Sequence, residues 1–324
     1  AIVRSAILMN NKVQNKYFPI PENERHLDTV TATEFVVIPS EITGMNFLEG
    51  LCFRDADNLL VCNTFQSKIY SVNVQTKAVN LFTILPGHAF PTGICVHQNG
   101  NIFVACSGSD DGSMIIVLSN QGQLLKKLLV GTTRSIDDLV FDRKGGFFFT
   151  DLAGTHNRRT AGVFYMAPDL ITVHSVVATG MVASNGIALS PDEKVLWVTD
   201  FGGAKLYRFN LADDGYHIQP YNSLTPYTFT GTDGPDSATI DEDGNLYVAM
   251  CGQARYLIFN PNGFPIGQVL IPEREQGKMA KSTHMAIRPF TNSGFFCASD
   301  PNTGECKIYQ ADVYLNANLG YQFT

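Results

Sequence analysis

The chain has 324 residues, of which 16% are charged, 11% aromatic and 44% hydrophobic, and its formal net charge is −7. That balance excludes a disordered polypeptide and leaves no basic footprint for nucleic acid. No apolar run approaches the roughly 20 residues that span a bilayer as a helix, so no membrane partner is expected.

The first residues, Ala1 to Tyr17, contain Ile7-Leu8-Met9 but no long apolar core before a small-residue site, and do not read as a signal peptide. Residues 1–32 read as an N-terminal arm or cap. Thr33-Glu-Phe-Val-Val-Ile38 is strand-like. In a closed ring it is placed to serve as the outer strand of the last unit, which leaves no open edge.

From Glu49 onward one pattern recurs six times. A polar residue leads an apolar run in Glu49-Gly-Leu-Cys-Phe, Thr92-Gly-Ile-Cys-Val, Asp137-Asp-Leu-Val-Phe, Asn185-Gly-Ile-Ala-Leu, Asp236-Ser-Ala-Thr-Ile and His284-Met-Ala-Ile-Arg, at intervals of 43 to 51 residues. After the leading run comes a turn rich in Asp, Asn and Gly, such as Asp142-Arg-Lys-Gly-Gly146 or Asp241-Glu-Asp-Gly-Asn245. These residues supply the positive φ angles and side-chain caps of tight hairpins. A second strand follows, as in Leu59-Leu-Val-Cys or Leu196-Trp-Val-Thr, with the near-continuous apolar character of a strand covered on both faces. A third strand alternates, and a fourth, weaker one closes most units. Repeats of this length mark propellers or solenoids. Four antiparallel strands per unit make a propeller blade. The expected fold is therefore all-β: a six-bladed propeller of four-stranded antiparallel blades, one domain over 1–324, with the blades in 33–324.

Seven cysteines sit mostly inside apolar runs, and no C-x-x-C pair exists. They read as buried free thiols of a cytoplasmic protein, although a Cys297–Cys306 bridge is conceivable.

A radial arrangement brings the six lead residues to one axis. Oxygen donors from Glu49, Asp137, Asn185 and Asp236 then suit a hard cation, Ca²⁺ in preference to Mg²⁺ because ligands from separate blades tolerate its looser geometry. A cation would also relieve the repulsion among three buried carboxylates. Taken singly, an Asp or Asn ahead of a strand can equally cap a turn. Thr92 and His284 could line the pocket or bind metal-bound water. Asp151 and Asp200 end second strands and read as turn or supporting residues. No G-x-S-x-G, H-E-x-x-H or Walker motif is present.

Leu48-Glu-Gly-Leu, Ser135-Ile-Asp-Asp-Leu-Val-Phe-Asp, Ala183-Ser-Asn-Gly-Ile-Ala-Leu-Ser and Gly234-Pro-Asp-Ser resemble the senescence-marker-protein/gluconolactonase (regucalcin-like) family. The resemblance spans about residues 27–310. It implies a six-bladed propeller, a divalent cation at its centre and lactone hydrolysis. By motif, Glu49, Asn185 and Asp236 would be metal ligands, Asp137 a ligand directly or through water, and Ser237 an assisting one. Asp236 would also be the catalytic acid/base. Asp138 and Phe201, with Thr92 and His284, are the candidate pocket residues, and Phe201 and Tyr227 are expected near the channel mouth. One Ca²⁺ is expected, with Mg²⁺, Mn²⁺ or Zn²⁺ as substitutes. A relative in the family holds a second calcium in the region of Ser109 to Arg134. Leu129 stands where an acidic residue is expected there, so a second Ca²⁺ is not expected here.

The partner expected is thus a small-molecule lactone, hydrolysed to a hydroxy acid. Two other readings are a calcium-dependent aryl-ester or phosphotriester hydrolase and a non-catalytic calcium-binding propeller.

Overall fold

The structure is a computed structural model describing residues 16–40, 45–130, 134–221 and 223–324. Six sheets follow one another along the chain, each antiparallel through four strands, and no α-helix occurs among the described residues. This is the six-bladed propeller that the repeat predicts. The innermost strands are Leu48–Phe53, Pro91–Val96, Ile136–Phe141, Ser184–Leu189, Pro235–Ile240 and Lys281–Ile287.

The apolar second strands form because both of their faces are covered. Phe147, Phe148 and Phe149 are successive residues of one of them, and all three are fully buried. Alternate side chains point to opposite faces, so one strand feeds two cores. Phe147 and Phe149 pack with Phe103 and Ile115 of the second blade, while Phe148 packs with Ile187 and Leu196 of the fourth. Every core cluster is filled in this way by two neighbouring blades. No blade has a core of its own, and the ring supplies what each one lacks.

Thr33–Ile38 lies antiparallel to Cys306–Asp312 as the outer strand of the sixth blade. Its Phe35 and Ile38 enter the core shared with the first blade. The segment before it does more than cover a surface. Asp28–Thr31 adds a fifth strand to the fifth blade, parallel to Pro265–Leu270. A buried ion pair holds this segment, with Arg255 Nη2 at 2.6 Å from Glu24 Oε2. All seven cysteines are free, including Cys297 and Cys306. The aspartates of the hairpin turns cap backbone: Asp142 Oδ1 accepts from the Lys144 and Gly146 N–H groups, and Asp241 Oδ1 from those of Asp243 and Asn245.

One irregularity repeats in every blade. The pairing of the innermost strand slips beside its lead residue, between Glu49 and Cys52, Pro91 and Gly93, Ile136 and Leu139, Ser184 and Ile187, Pro235 and Ala238, and Ser282 and Met285. Such bulges leave a residue unpaired and re-aim its side chain. At the slip, a hydroxyl from each blade donates to a backbone carbonyl of the next innermost strand. Thr64 reaches Pro91 O at 2.8 Å, Thr92 reaches Asp137 O at 2.7 Å, and Thr150 reaches Asn185 O. Thr199 reaches Asp236 O at 2.7 Å, Tyr256 reaches His284 O at 2.9 Å, and Thr283 reaches Leu48 O at 2.6 Å. In three blades the next strand approaches so closely that the residue after the lead one is glycine: Gly50, Gly93 and Gly186. A Cβ on Gly186 would lie 2.6 Å from Asp236 O, and one on Gly93 would lie 2.8 Å from Asp137 O.

Thr199 makes this clasp testable. Its hydroxyl also accepts the Gly186 N–H at 2.7 Å, so Thr199→Val would strand two buried backbone groups at once. Urea unfolding should show a loss of about 2 kcal/mol. Thr199→Ser, which keeps the hydroxyl, should lose clearly less.

Candidate active site

Glu49, Thr92, Asp137, Asn185 and Asp236 are each the second residue of an innermost strand, and His284 is the fourth of its longer strand. All six are buried, with Asp236 only 3% exposed. The sequence repeat placed them at one level, and the structure gathers their charges. Burial pushes the Glu49 carboxyl well above the ordinary carboxylate range, and Asp236 and Asp137 push it further by like-charge repulsion. Asp137 is raised by burial and then by Asp236 and Asp138. Asp236 is raised by burial to about 7, and His284 and hydrogen bonds from Cys251, Asn185 and the Ser237 N–H hold back the rise.

Three oxygens at this level find no partner. Glu49 Oε2, Asn185 Oδ1 and Ser237 Oγ are buried without a hydrogen bond. A buried, unsatisfied polar atom costs about 1–3 kcal/mol, so three in one place call for an explanation. Among the described residues, no three His, Cys, Asp or Glu side chains alone stand close enough to enclose an ion. Orphaned oxygen donors beside mutually repelling carboxylates have the chemistry of a hard-cation site. The residues present therefore fit such an ion.

The other candidates separate in role. Thr92 spends its hydroxyl on the Asp137 carbonyl, so it holds the ring together. His284 Nδ1 lies 3.0 Å from Met285 O. A carbonyl only accepts, so Nδ1 carries the proton and Nε2 is left facing Asp138 Oδ2 at 3.9 Å. Asp138 Oδ1 accepts the Leu139 N–H. Asp151 and Asp200 cap backbone: Asp151 accepts from Ser135 and Ala153, and Asp200 from Val182, Ala183 and Gly203. Phe201 sits in the turn after a second strand, with its N–H bonded to Ala183 O. Tyr227 does not reach the channel. It lies on the outer strand Leu224–Thr228, packed on Phe229 and Phe259 with its hydroxyl on Glu24.

Two features escaped the sequence reading. The Cys251 thiol bonds Asp236, and nothing in its local pattern separates it from the core cysteines. Beside the starts of the first two innermost strands, Phe47, Phe65 and Phe90 stack in a chain with centroids 5.8 Å apart at each step. Phe65 and Phe90 are exposed. In the region considered for a second calcium, Leu129 is 70% exposed and Lys127 Nζ occupies Asp111 Oδ2 at 2.7 Å. Residues 131–133 of that region lie outside the described residues.

Fold and site together define a class: a six-bladed propeller with acidic, amide and hydroxyl side chains buried at one level of its axis. A family model described as the SMP-30/gluconolactonase/LRE-like region matches residues 129–280. A lactonase drp35 of Staphylococcus saprophyticus is 41% identical over 315 residues, covering 96% of this chain and 95% of that protein. The chain belongs to the SMP-30/gluconolactonase/LRE-like family. Two more distant structures share its fold. A luciferin-regenerating enzyme has a TM-score of 0.68 at 16% identity, covering 88% of this chain and 99% of its own. A calcium-binding protein, regucalcin, from Agrobacterium tumefaciens has a TM-score of 0.67 at 15% identity, covering 90% and 98%.

The raised carboxyls make a stability prediction whose sign is fixed. A carboxyl that binds its proton more tightly folded than unfolded contributes stability at acid pH. That contribution is lost as pH rises from the unfolded value near ~4 through the folded one. For Asp236 the upper limit is about 7. In EDTA, the melting temperature of the wild type should fall more steeply between pH 4 and 7 than that of Glu49→Gln/Asp137→Asn/Asp236→Asn. Calorimetric scans across that range check it.

Proposed function

We propose that the protein is a lactonase that hydrolyses a cyclic ester to a hydroxy acid. The observation that carries this reading is the set of orphaned, buried oxygens around an Asp236 carboxyl that is still able to bind a proton near neutral pH. The family membership and the drp35 relatives, named as lactonases, support it. Glu49, Asp137, Asn185, Asp236 and Ser237 would hold one divalent cation, with Ca²⁺ the ion that the all-oxygen donor set favours and Mg²⁺, Mn²⁺ or Zn²⁺ as substitutes. When bound, the cation supplies Lewis-acid polarisation of the lactone carbonyl and charge stabilisation of the oxyanion.

The chain's own residues do the rest. Asp236 takes a proton from the attacking water as the water oxygen bonds to the carbonyl carbon. It returns that proton to the ring oxygen as the carbon–oxygen bond opens. A pKa near neutrality suits both directions of transfer. Cys251 and Asn185 orient the carboxyl by donating to it, and His284 favours its charged form by attraction. The chain of Phe47, Phe65 and Phe90 offers an apolar wall for the body of the lactone. A small-molecule substrate is the partner proposed. The seven free thiols support a reducing compartment such as the cytoplasm.

Metal analysis of the purified protein and a lactone panel assayed before and after EDTA test the reading. Activity should vanish with EDTA and return with Ca²⁺. Asp236→Asn should lower kcat by about 10²–10⁴, the range of a lost general acid/base. Undiminished lactone turnover in metal-stripped protein would sink the mechanism. Faster turnover of a phosphotriester than of any lactone would move the protein to a different hydrolase class.

A further inference from the structure

The axis holds a second feature. Past the lead residues, toward the hairpin turns, the channel widens into a cavity of about 180 Å³. Its wall is apolar and comes from all six innermost strands, with Leu51, Ile94, Leu139, Ile187, Ala238 and Ala286 among the lining residues. At its far end the segment 317–323 lies beside it, with Leu319, Tyr321 and Phe323 among the lining residues. That segment is pinned from several blades. Ala317 pairs with Asp241, Gln322 Nε2 donates to Phe53 O at 2.9 Å, and the Tyr321 ring lies 4.9 Å from His97 and 5.5 Å from Phe141.

Thr239, Asn318 and Gln322 interrupt the lining, as do two side chains at the site end, Asp138 and His284, which are 3% and 6% exposed. Their free atoms, Asp138 Oδ2 and His284 Nε2, are 3.9 Å apart. With Nδ1 turned to Met285 O, the atoms that face each other at the cavity are His284 Nε2 and Asp138 Oδ2, and a hydroxyl, which both donates and accepts, is able to bridge them. Neither atom has a hydrogen-bond donor among the described residues. An apolar enclosure of roughly 150 Å³ is large enough for benzene. A pocket that is mostly apolar, with a few convergent polar groups, is the usual form of a small-molecule site.

We propose that this cavity binds a neutral, ring-sized apolar molecule carrying one hydroxyl, with the hydroxyl bridging Asp138 and His284 and the ring lying against the apolar lining. The site shares Asp138 and His284 with the level of the lead residues, but its occupancy does not depend on the lactonase reading.

Phenol and fluorobenzene, alike in size and differing in the donor, are the probes. Each is titrated in EDTA by calorimetry, with NMR contacts between ring protons and the methyls of Ala188 and Ala286. Phenol should bind saturably in the millimolar range, at least tenfold tighter than fluorobenzene, and show contacts to both methyls. Ala188→Met, at a lining position that also packs in the core between the fourth and fifth blades, should weaken phenol binding at least tenfold while keeping a cooperative melt. The NMR contacts locate the ligand in the wild type even where that variant does not fold. No saturable phenol binding, equal affinity for the two probes, or contacts elsewhere on the protein would overturn the proposal.

Discussion

Six polar side chains can share one buried level only because every innermost strand breaks its ladder there. A regular strand would commit the lead residue's backbone to its neighbour and alternate its side chain with the rest. The slip frees backbone groups, and burial obliges each of them to find another partner. Hydroxyls supply that partner at all six blade junctions. The interaction that repairs the irregularity is therefore also the one that joins the blades. Blade packing and site geometry rest on the same atoms, so a change in one cannot leave the other untouched.

The electrostatics run against stability. Burial and mutual repulsion hold Glu49 and Asp137 well above the normal carboxylate range, and burial raises Asp236. Nothing in the folding of the ring demands acids there, since Thr92 holds an equivalent position and serves only the clasp. The cost is tolerable because six inter-blade cores and six hydroxyl clasps hold the ring against it. Strain of this kind, kept in place by a scaffold that over-determines it, is characteristic of functional sites.

Much of this was legible in the sequence, and the reasons are physical. The six-fold repeat of a polar lead and an apolar run survives because each blade needs the same bulge and the same two-faced second strand. The glycine after Glu49, Thr92 and Asn185 marks the close approach of the next strand. What was not legible lacks a periodic signal. Asp28–Thr31 is exposed along its whole length, so no burial pattern announces a strand. Tyr227 belongs to an outer strand, where an aromatic looks the same in sequence as one at the mouth. The place of Asp151 and Asp200 at the ends of second strands did mark them in sequence as turn residues, and both cap backbone; the bulge beside Asp137 has no such mark and appears only as a register shift.

The channel changes character along its length, and the change follows from the alternation of strands around a closed ring. At the level of the bulges the side chains are polar because backbone, hydroxyls and carboxyls are already crowded together there. Beyond it the ladders resume, and the strand positions that line the cavity are largely Leu, Ile and Ala. Asp138 and His284 stand at the boundary and face both environments. The segment Ala317-Asn-Leu-Gly-Tyr-Gln-Phe323 packs against that apolar half and contributes Leu, Tyr and Phe side chains to its lining.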